Sequence, residues 1–297
     1  QSTLYHIDDL PFPVTQTPEV FTHFRKELEK QSKVRTSLSA PKEINYPKEE
    51  LEGKEGEVPT LQILGLEKPE PDSLSWMEVK GGEESALRRL RSYFWEKDLL
   101  KVYKETRNGL IGMDYSSKFS PWLALGCISP RTIYEEVKKY ERERKKNDST
   151  YWLIFELIWR DYFRFIAKKH GDKIFDIQGI RHQKDSWRRD KAQFQRWVEG
   201  LTGVPFVDAN MRELKATGFM SNRGRQNVAS YLVNDLGIDW TWGASYFESQ
   251  LIDYDVCSNW GNWMYVGGVG NDPRENRYFN ILRQANNYDK KGDFVRL

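Results

Sequence analysis

Apolar residues recur at helical spacing along most of the chain, and the stretches where they do not mark its organisation. Val20, Phe21, Phe24 and Leu28 share one face, which predicts a short helix over 18–30. From Gly82 onward helices follow one another through short turns. Ala86, Leu87, Leu90, Phe94 and Leu99 mark the first of these, and 133–145 reads as a charged, solvated helix. Trp152, Phe155, Trp159, Phe163 and Ile166 make 151–169 a strongly apolar one. Segments 208–215 and 222–236 predict two more, parted by Thr217-Gly218. From Asp253 on, Gly261, Gly267, Gly268 and Gly270 give the chain a loop-like character. Nowhere do short strands alternate with helices, so no α/β sheet is encoded. The expected fold class is mainly α.

Composition shifts near residue 75. Eight of the twelve prolines lie between Pro11 and Pro71, and no tryptophan precedes Trp76. The stretch 41–71 is rich in Lys, Glu, Pro and Gly without periodicity, which predicts an extended connector. The division expected is an interdomain linker with a short helix over 1–75 and a helical domain over 76–297. The chain opens on Gln1 and stops at Leu297 without a tapering tail, so both ends read as cuts through a longer protein.

Bulk charge adds little. Lys and Arg total 46 against 44 acids, so a nucleic-acid site would have to be a local basic face. Cys127 and Cys257 stand far apart, and the four histidines show no metal-protease spacing, so neither a disulfide scaffold nor a metal site is expected. No signal peptide or membrane-length apolar run is present, which predicts a soluble intracellular protein. Aromatic content changes the picture more. Eleven tryptophans in a mostly polar chain suggest a site built from flat rings, for a planar cofactor, stacked bases or both.

Four segments carry candidate chemistry. In 114–123, Ser120 suits an N-cap and Pro121 the first helical position, so the preceding hydroxyls and the helix start form a donor-rich pocket suited to phosphate. In 156–162, Glu156 and Arg160 are spaced to pair on a helix face beside Trp159. A carboxylate among Trp152, Phe155 and Trp159 would have a raised pKa and could donate to a substrate carbonyl. In 217–226, Asn222, Arg223 and Arg225 open a helix, where guanidinium groups hold phosphates or carboxylates. In 251–263, Asp253, Asp255, Asn259 and Asn262 fall among three rings, without the glycine and terminal Glu of a calcium loop. Read alone, the first two segments fit an ordinary capped helix and a surface ion pair better, and the third fits a solvated basic helix end equally well.

Together, in order and at compatible spacing, these segments resemble the photolyase–cryptochrome family along the whole chain. The resemblance implies the all-helical FAD-binding domain of photolyase type, preceded by a long irregular linker. It places FAD phosphates on Ser116, Ser117, Lys118, Phe119 and Ser120, with Tyr103 nearby. Asp253 would pair with Arg225, Asp255 would bond the flavin ring edge, and Asn259 would face flavin N5. Glu156, Trp159 and Asn222 match the residues that receive a cyclobutane pyrimidine dimer. Trp187, Trp240 and Trp263 match a three-tryptophan chain that photoreduces FAD. Arg160, Arg223, Gln226 and Tyr265 complete the implied DNA contacts at the pocket rim.

Gln226 and Tyr265, where ordinary dimer photolyases carry Met and Trp, resemble the cryptochrome-DASH branch, as does the wording around Asp253. Repair in that branch is associated with single-stranded DNA. The absence of histidine at Asn222 and Gln226 argues against (6-4) chemistry, and the amide at Asn259 against the plant signalling type. The resemblance implies a monomeric, light-driven deoxyribodipyrimidine photolyase. A folate antenna (methenyltetrahydrofolate) would lie mostly on an N-terminal domain not found in this sequence. The alternative is a blue-light signalling receptor that binds FAD without repairing DNA.

Overall fold

The computed structural model describes residues 2–43, 47, 53, 56–68, 79–181, 186–272 and 277–297. It is helical throughout, and among the described residues the sole β pairing is an isolated bridge between Arg188 and Ile238. None of the described helices is long and apolar enough to cross a membrane. The boundary expected near 75 and 76, with Trp76 itself, lies outside the described residues, as does His182.

The first helix, α1 (Phe21–Gln31), buries Phe21, Phe24 and Leu28 as its spacing predicts. After the connector comes α2 (Glu83–Arg91), which runs on into a π-helical turn, Ser92–Glu96. Leu87 leaves the expected stripe and is exposed, because the buried face runs through Ala86, Arg89 and Leu90. Two short helices follow, α3 (Tyr103–Thr106) and α4 (Ser120–Ala124). Next, α5 (Pro130–Glu143) is less solvated than its charge suggests, since Ile133, Val137 and Tyr140 are fully buried.

The central strut is α6 (Asp148–His170), roughly 35 Å long at the α-helical rise. Asn147 and Thr150 close a capping box at its start; Lys168, Lys169 and His170 complement the dipole at its end. Because α6 is apolar on most sides, it packs against α1, α3 and α5 as well as Val256–Gly267, one of the C-terminal helices. Those are α7 (Lys191–Val198), α8 (Pro205–Thr217), α9 (Asn222–Ser230), α10 (Trp240–Gln250), α11 (Val256–Gly267), α12 (Ile281–Tyr288) and α13 (Asp293–Arg296). Two apolar cores result. One surrounds α1, α2, α5 and α6; the other lies among α7 to α11.

The loop-like reading beyond Asp253 is overturned by α11. Its glycines are packing surfaces: a Cβ on Gly261 would collide with Phe163 of α6, so glycine lets the two helices touch. Asp255 supplies the N-cap by accepting from Ser258 N, and Gly268 ends the helix in the left-handed conformation.

The N-terminal segment is tied to the strut by one carboxylate. Asp161 is fully buried on α6 and accepts from Leu4 N and Tyr5 N, both at 2.9 Å, while Arg131 Nε donates to Leu4 O at 3.2 Å. Burial pushes Asp161 up to about 7, against the opposing pull of these two backbone donors. A raised folded-state pKa contributes stability that is complete at low pH and is lost as pH rises through the folded value. The stability advantage of wild type over Asp161→Asn, followed by chemical denaturation, should therefore fall between about pH 4 and pH 7 and stay level above. An advantage that grows with pH would show that the two N–H donors outweigh desolvation.

Candidate functional site

Where the two cores meet, α6, α9, α11 and the segment before α4 enclose a lobed cavity. One lobe, about 620 Å³, is lined by residues including Gln226, Phe247, Asp255, Asn259 and Trp263. A second, about 860 Å³, is lined by Tyr103, Ser116 to Ser120, Glu156 and Arg160 among others. Asn222, Arg225 and Asp253 wall both lobes. A third, about 950 Å³, shares Leu123 and Arg160 with the second and is flanked by Arg164. Adjoining lobes suit a ligand with two chemically different ends.

The second lobe is rich in donors. Its wall at 113–117 is fixed by Arg89, a residue sequence reasoning missed. Arg89 is buried on α2; it donates to the carbonyls of Met113, Ser116 and Ser117 at 2.9–3.0 Å and to Asp114 Oδ1 at 2.9 Å. Drawing the carbonyls to one side turns the peptide N–H groups to the other. The available signal was an arginine on the apolar stripe of a helix, between Ala86 and Leu90. Lys118, at φ 58°, is buried with Nζ 3.8 Å from the Tyr115 ring centroid and 4.3 Å from that of Phe219. Burial pushes its pKa down to about 6, with Glu213 opposing and Arg225 assisting. Ser120 is not the N-cap expected: Phe119 already has helical φ and ψ, so α4 begins at Ser120 itself, with Pro121 next.

The shared wall is an ion pair. Arg225 donates to both Asp253 oxygens at 3.0 and 2.8 Å, and its Nε to Met220 O at 2.9 Å. The Asp253 side chain is 1% exposed, so the charge survives by being paired. Upstream, Ser221 caps α9 by accepting from Gly224 N, and Gly224 is required because a Cβ would collide with Asn210 of α8.

The first lobe carries two aromatic rings in its wall, Phe247 and Trp263. Trp263 is buried against Phe247 and Trp197, with ring centroids 5.1 and 6.2 Å apart. Asn259 Nδ2 donates to Ala244 O at 3.0 Å, which fixes the plane of an amide that lines the lobe. Asp255 divides its oxygens between the α11 cap and an ion pair with Arg164.

Glu156 pairs with Arg107 at 2.8 Å, and this corrects the expected partnership with Arg160. Arg107, just past α3, faces Glu156 directly, whereas Arg160 donates to the carbonyls of Leu123 (3.0 Å) and Ser2. Burial raises the Glu156 pKa, as its aromatic neighbours suggest, and Arg107 partly offsets the shift. Trp159 is stacked on Phe21 at 3.6 Å and 9°, and Tyr265 meets it edge-on at 5.8 Å. Tyr265 is buried, with Arg277 above its ring, rather than standing at an open rim. Arg223 donates to Gln226 Oε1 and Asn108 Oδ1, both at 2.9 Å, and lies over Tyr288. Asn222 is exposed at the lip between the lobes.

Of the three expected relay tryptophans, Trp263 lines the first lobe and Trp240 is fully buried, its Nε1 donating to Ile177 O. Trp187 is half-buried on the segment whose Arg188 accepts from Asp239 N at 3.1 Å, beside the start of α10.

A family model described as the FAD binding domain of DNA photolyase matches residues 152–297. Cryptochrome DASH of Danio rerio is 58% identical over 296 residues, spanning 99% of this chain and 56% of the relative. That of Gloeobacter violaceus is 58% identical over 295 residues, spanning 99% and 58%. Among solved structures, the Synechocystis sp. PCC6803 cryptochrome superimposes with a TM-score of 0.91 at 54% identity, covering 99% of this chain and 60% of that one. A bacterial class III photolyase from Agrobacterium tumefaciens superimposes at 0.79 and 31% identity, over 99% and 60%. The chain thus spans a little over half the length of the relatives it matches.

If Arg89 holds the donor wall, Arg89→Leu should cost on the order of 3 kcal/mol by leaving several buried carbonyls unpaired. Amide exchange, followed by mass spectrometry, should accelerate across 113–118 and stay unchanged in α11. Unchanged exchange in the wall would show that it is held by other contacts.

Proposed function

Because the chain belongs to the photolyase–cryptochrome family, in its cryptochrome-DASH branch, with FAD as cofactor, we propose that it repairs cyclobutane pyrimidine dimers with light, preferentially in single-stranded DNA. The residues present fit FAD. The second lobe offers hydroxyls and Lys118 to a diphosphate, and the first offers Trp263, Asn259 and Asp255 to a flat heteroaromatic ring. When bound and reduced, FAD supplies a photoexcited electron donor; the rest is positioning and electrostatics by this chain.

The observation that carries the reading is the place of Glu156 and Asn222, on the wall of the lobe that shares Arg225 and Asp253 with the first lobe. Glu156, held by Arg107 and shifted toward its protonated form, hydrogen-bonds a pyrimidine carbonyl as negative charge develops there. Asn222 offers both donor and acceptor to the base edge. Trp159, backed by Phe21, is a stiff apolar surface against which a flipped base packs. Extruding a lesion costs a few kcal/mol, least from a strand without a partner. The Gln226 amide, tied to Arg223, gives less apolar filling than a thioether. That favours substrates whose extrusion is already easy. DNA is the proposed partner, a monomer the proposed state and a soluble intracellular setting the proposed location.

Trp263 lines the first lobe, Trp240 is fully buried and Trp187 is half-buried; the three are proposed to carry electrons inward from Trp187 to the lobe. Trp240→Phe keeps most of the packing and removes the easily oxidised ring. Photoreduction of the FAD-loaded protein with external thiol should then slow by more than tenfold, roughly 1.4 kcal/mol or more in barrier. Repair after chemical reduction should persist. Equal photoreduction in the two proteins would reject the relay.

The proposed activity is tested by illuminating the reduced holoprotein with the same dimer in single-stranded and duplex oligonucleotides at matched salt. Repair should be at least several-fold faster in the single strand. Equal rates would reject the strand preference alone, and no repair of either would favour a signalling receptor.

A further inference from the structure

Trp240, the middle member of the proposed relay, has a second indole in direct ring contact. The Trp260 ring lies 5.7 Å from it at 79°. Trp260 is buried on α11, three residues before Trp263, and is closed on another side by Phe175, whose centroid is 4.9 Å away. Its Nε1 leads outward: it donates to Glu248 Oε2 at 3.0 Å, and Glu248 is solvent-exposed on α10. Tyr254 lies beside the same group, where Glu248 bears on its phenol, and it borders the third lobe. A buried indole thus touches the relay by its ring and a solvated carboxylate by its N–H.

We propose that Trp260 and Glu248 form a proton-coupled side branch of the relay, in which an oxidising equivalent on Trp240 is stored as a neutral Trp260 radical. This rests on the relay reading above. One electron passes from the Trp260 ring to the oxidised Trp240 ring, which returns to its resting state. Losing that electron makes the Trp260 N–H strongly acidic. The proton moves along the hydrogen bond to Glu248 Oε2, forming a carboxylic acid and a neutral indolyl radical, and the acid then releases its proton to water. The oxidant is oxidised Trp240 itself. Loss of the proton to solvent makes the reverse electron transfer uphill, so the branch delays charge recombination.

The Phe175 and Trp240 contacts keep the ring dry, while Glu248 gives the proton an exit that does not cross the apolar core. Tyr254, pushed up to about 12 by burial and by Glu248, remains a phenol and does not compete as the proton source. Asp255 also bears on Tyr254 through its charge, and acts in the same direction.

The test uses transient absorption and electron paramagnetic resonance on the FAD-loaded protein after a light flash. Trp187→Phe, which removes the outer member of the relay, should still give a long-lived neutral tryptophan radical. Trp187→Phe/Trp260→Phe should lose it. Trp187→Phe/Glu248→Gln keeps a hydrogen-bond acceptor but no base; its radical should stay protonated, recombine faster and lose its solvent deuterium effect. Glu248 is exposed, so this variant folds without repacking the core. The branch is overturned if Trp187→Phe alone gives no long-lived radical, or if adding Trp260→Phe or Glu248→Gln changes nothing. Wild-type radical yield in Trp240→Phe would instead mean that the relay itself is wrong.

Discussion

The bidentate pair between Arg225 and Asp253 is the interaction on which the site depends. It joins the first turn of α9 to the strap before α11, and both of its residues wall both lobes. Removing one partner leaves a charge with almost no solvent to take it, a penalty of about 3–5 kcal/mol, whereas removing both together is far less severe. The pair therefore contributes less as net stability than as a constraint on how α9 and α11 are spaced. Gly224 of α9 and Gly261 of α11 leave room for side chains of other helices, Asn210 of α8 and Phe163 of α6.

Every other buried charge around the cavity is likewise committed. Glu156 has Arg107, Asp255 has Arg164 and the α11 cap, and Arg89 has the carbonyls of the donor wall. A site so arranged has polar groups in place before a ligand arrives, so little reorganisation is left to do on binding. Lys118 differs in kind: it is a buried amine that donates to the Tyr115 hydroxyl, yet burial disfavours its charge, in the lobe that also holds the hydroxyls of Ser116, Ser117 and Ser120. A bound diphosphate would reverse that preference, so proton uptake at Lys118 accompanies ligand binding in this account.

Much of this was legible in the sequence where spacing is local. The apolar stripe of 151–169 predicted the strut to within a few residues, because a helix buried on several faces shows its period plainly. The Arg225–Asp253 pair and the donor wall came through resemblance, since no local pattern links positions that far apart. The pairing of Arg107 with Glu156 and the stacking of Phe21 on Trp159 were invisible for the same reason, while Arg89 showed only as a charge on an apolar stripe, with no sign of partners 24 or more residues away. The glycines after Asp253 were read as breakers, although Gly261 and Gly267 sit inside a helix whose neighbours need the room. Glu156 and Arg160 had ideal spacing for a pair, yet Arg107, just past α3, holds the carboxylate while Arg160 donates to the carbonyls of Leu123 and Ser2.

The central claim is that the two lobes form one FAD site held together by the Arg225–Asp253 pair. A double-mutant cycle measured by flavin fluorescence titration tests it most directly, using Arg225→Met, Asp253→Asn and the two combined, each checked for folding by circular dichroism. Each single variant should lose at least tenfold in FAD affinity, about 1.4 kcal/mol, and the double variant should lose no more than the worse single. Strictly additive losses, or undiminished affinity in either folded single variant, would contradict the account.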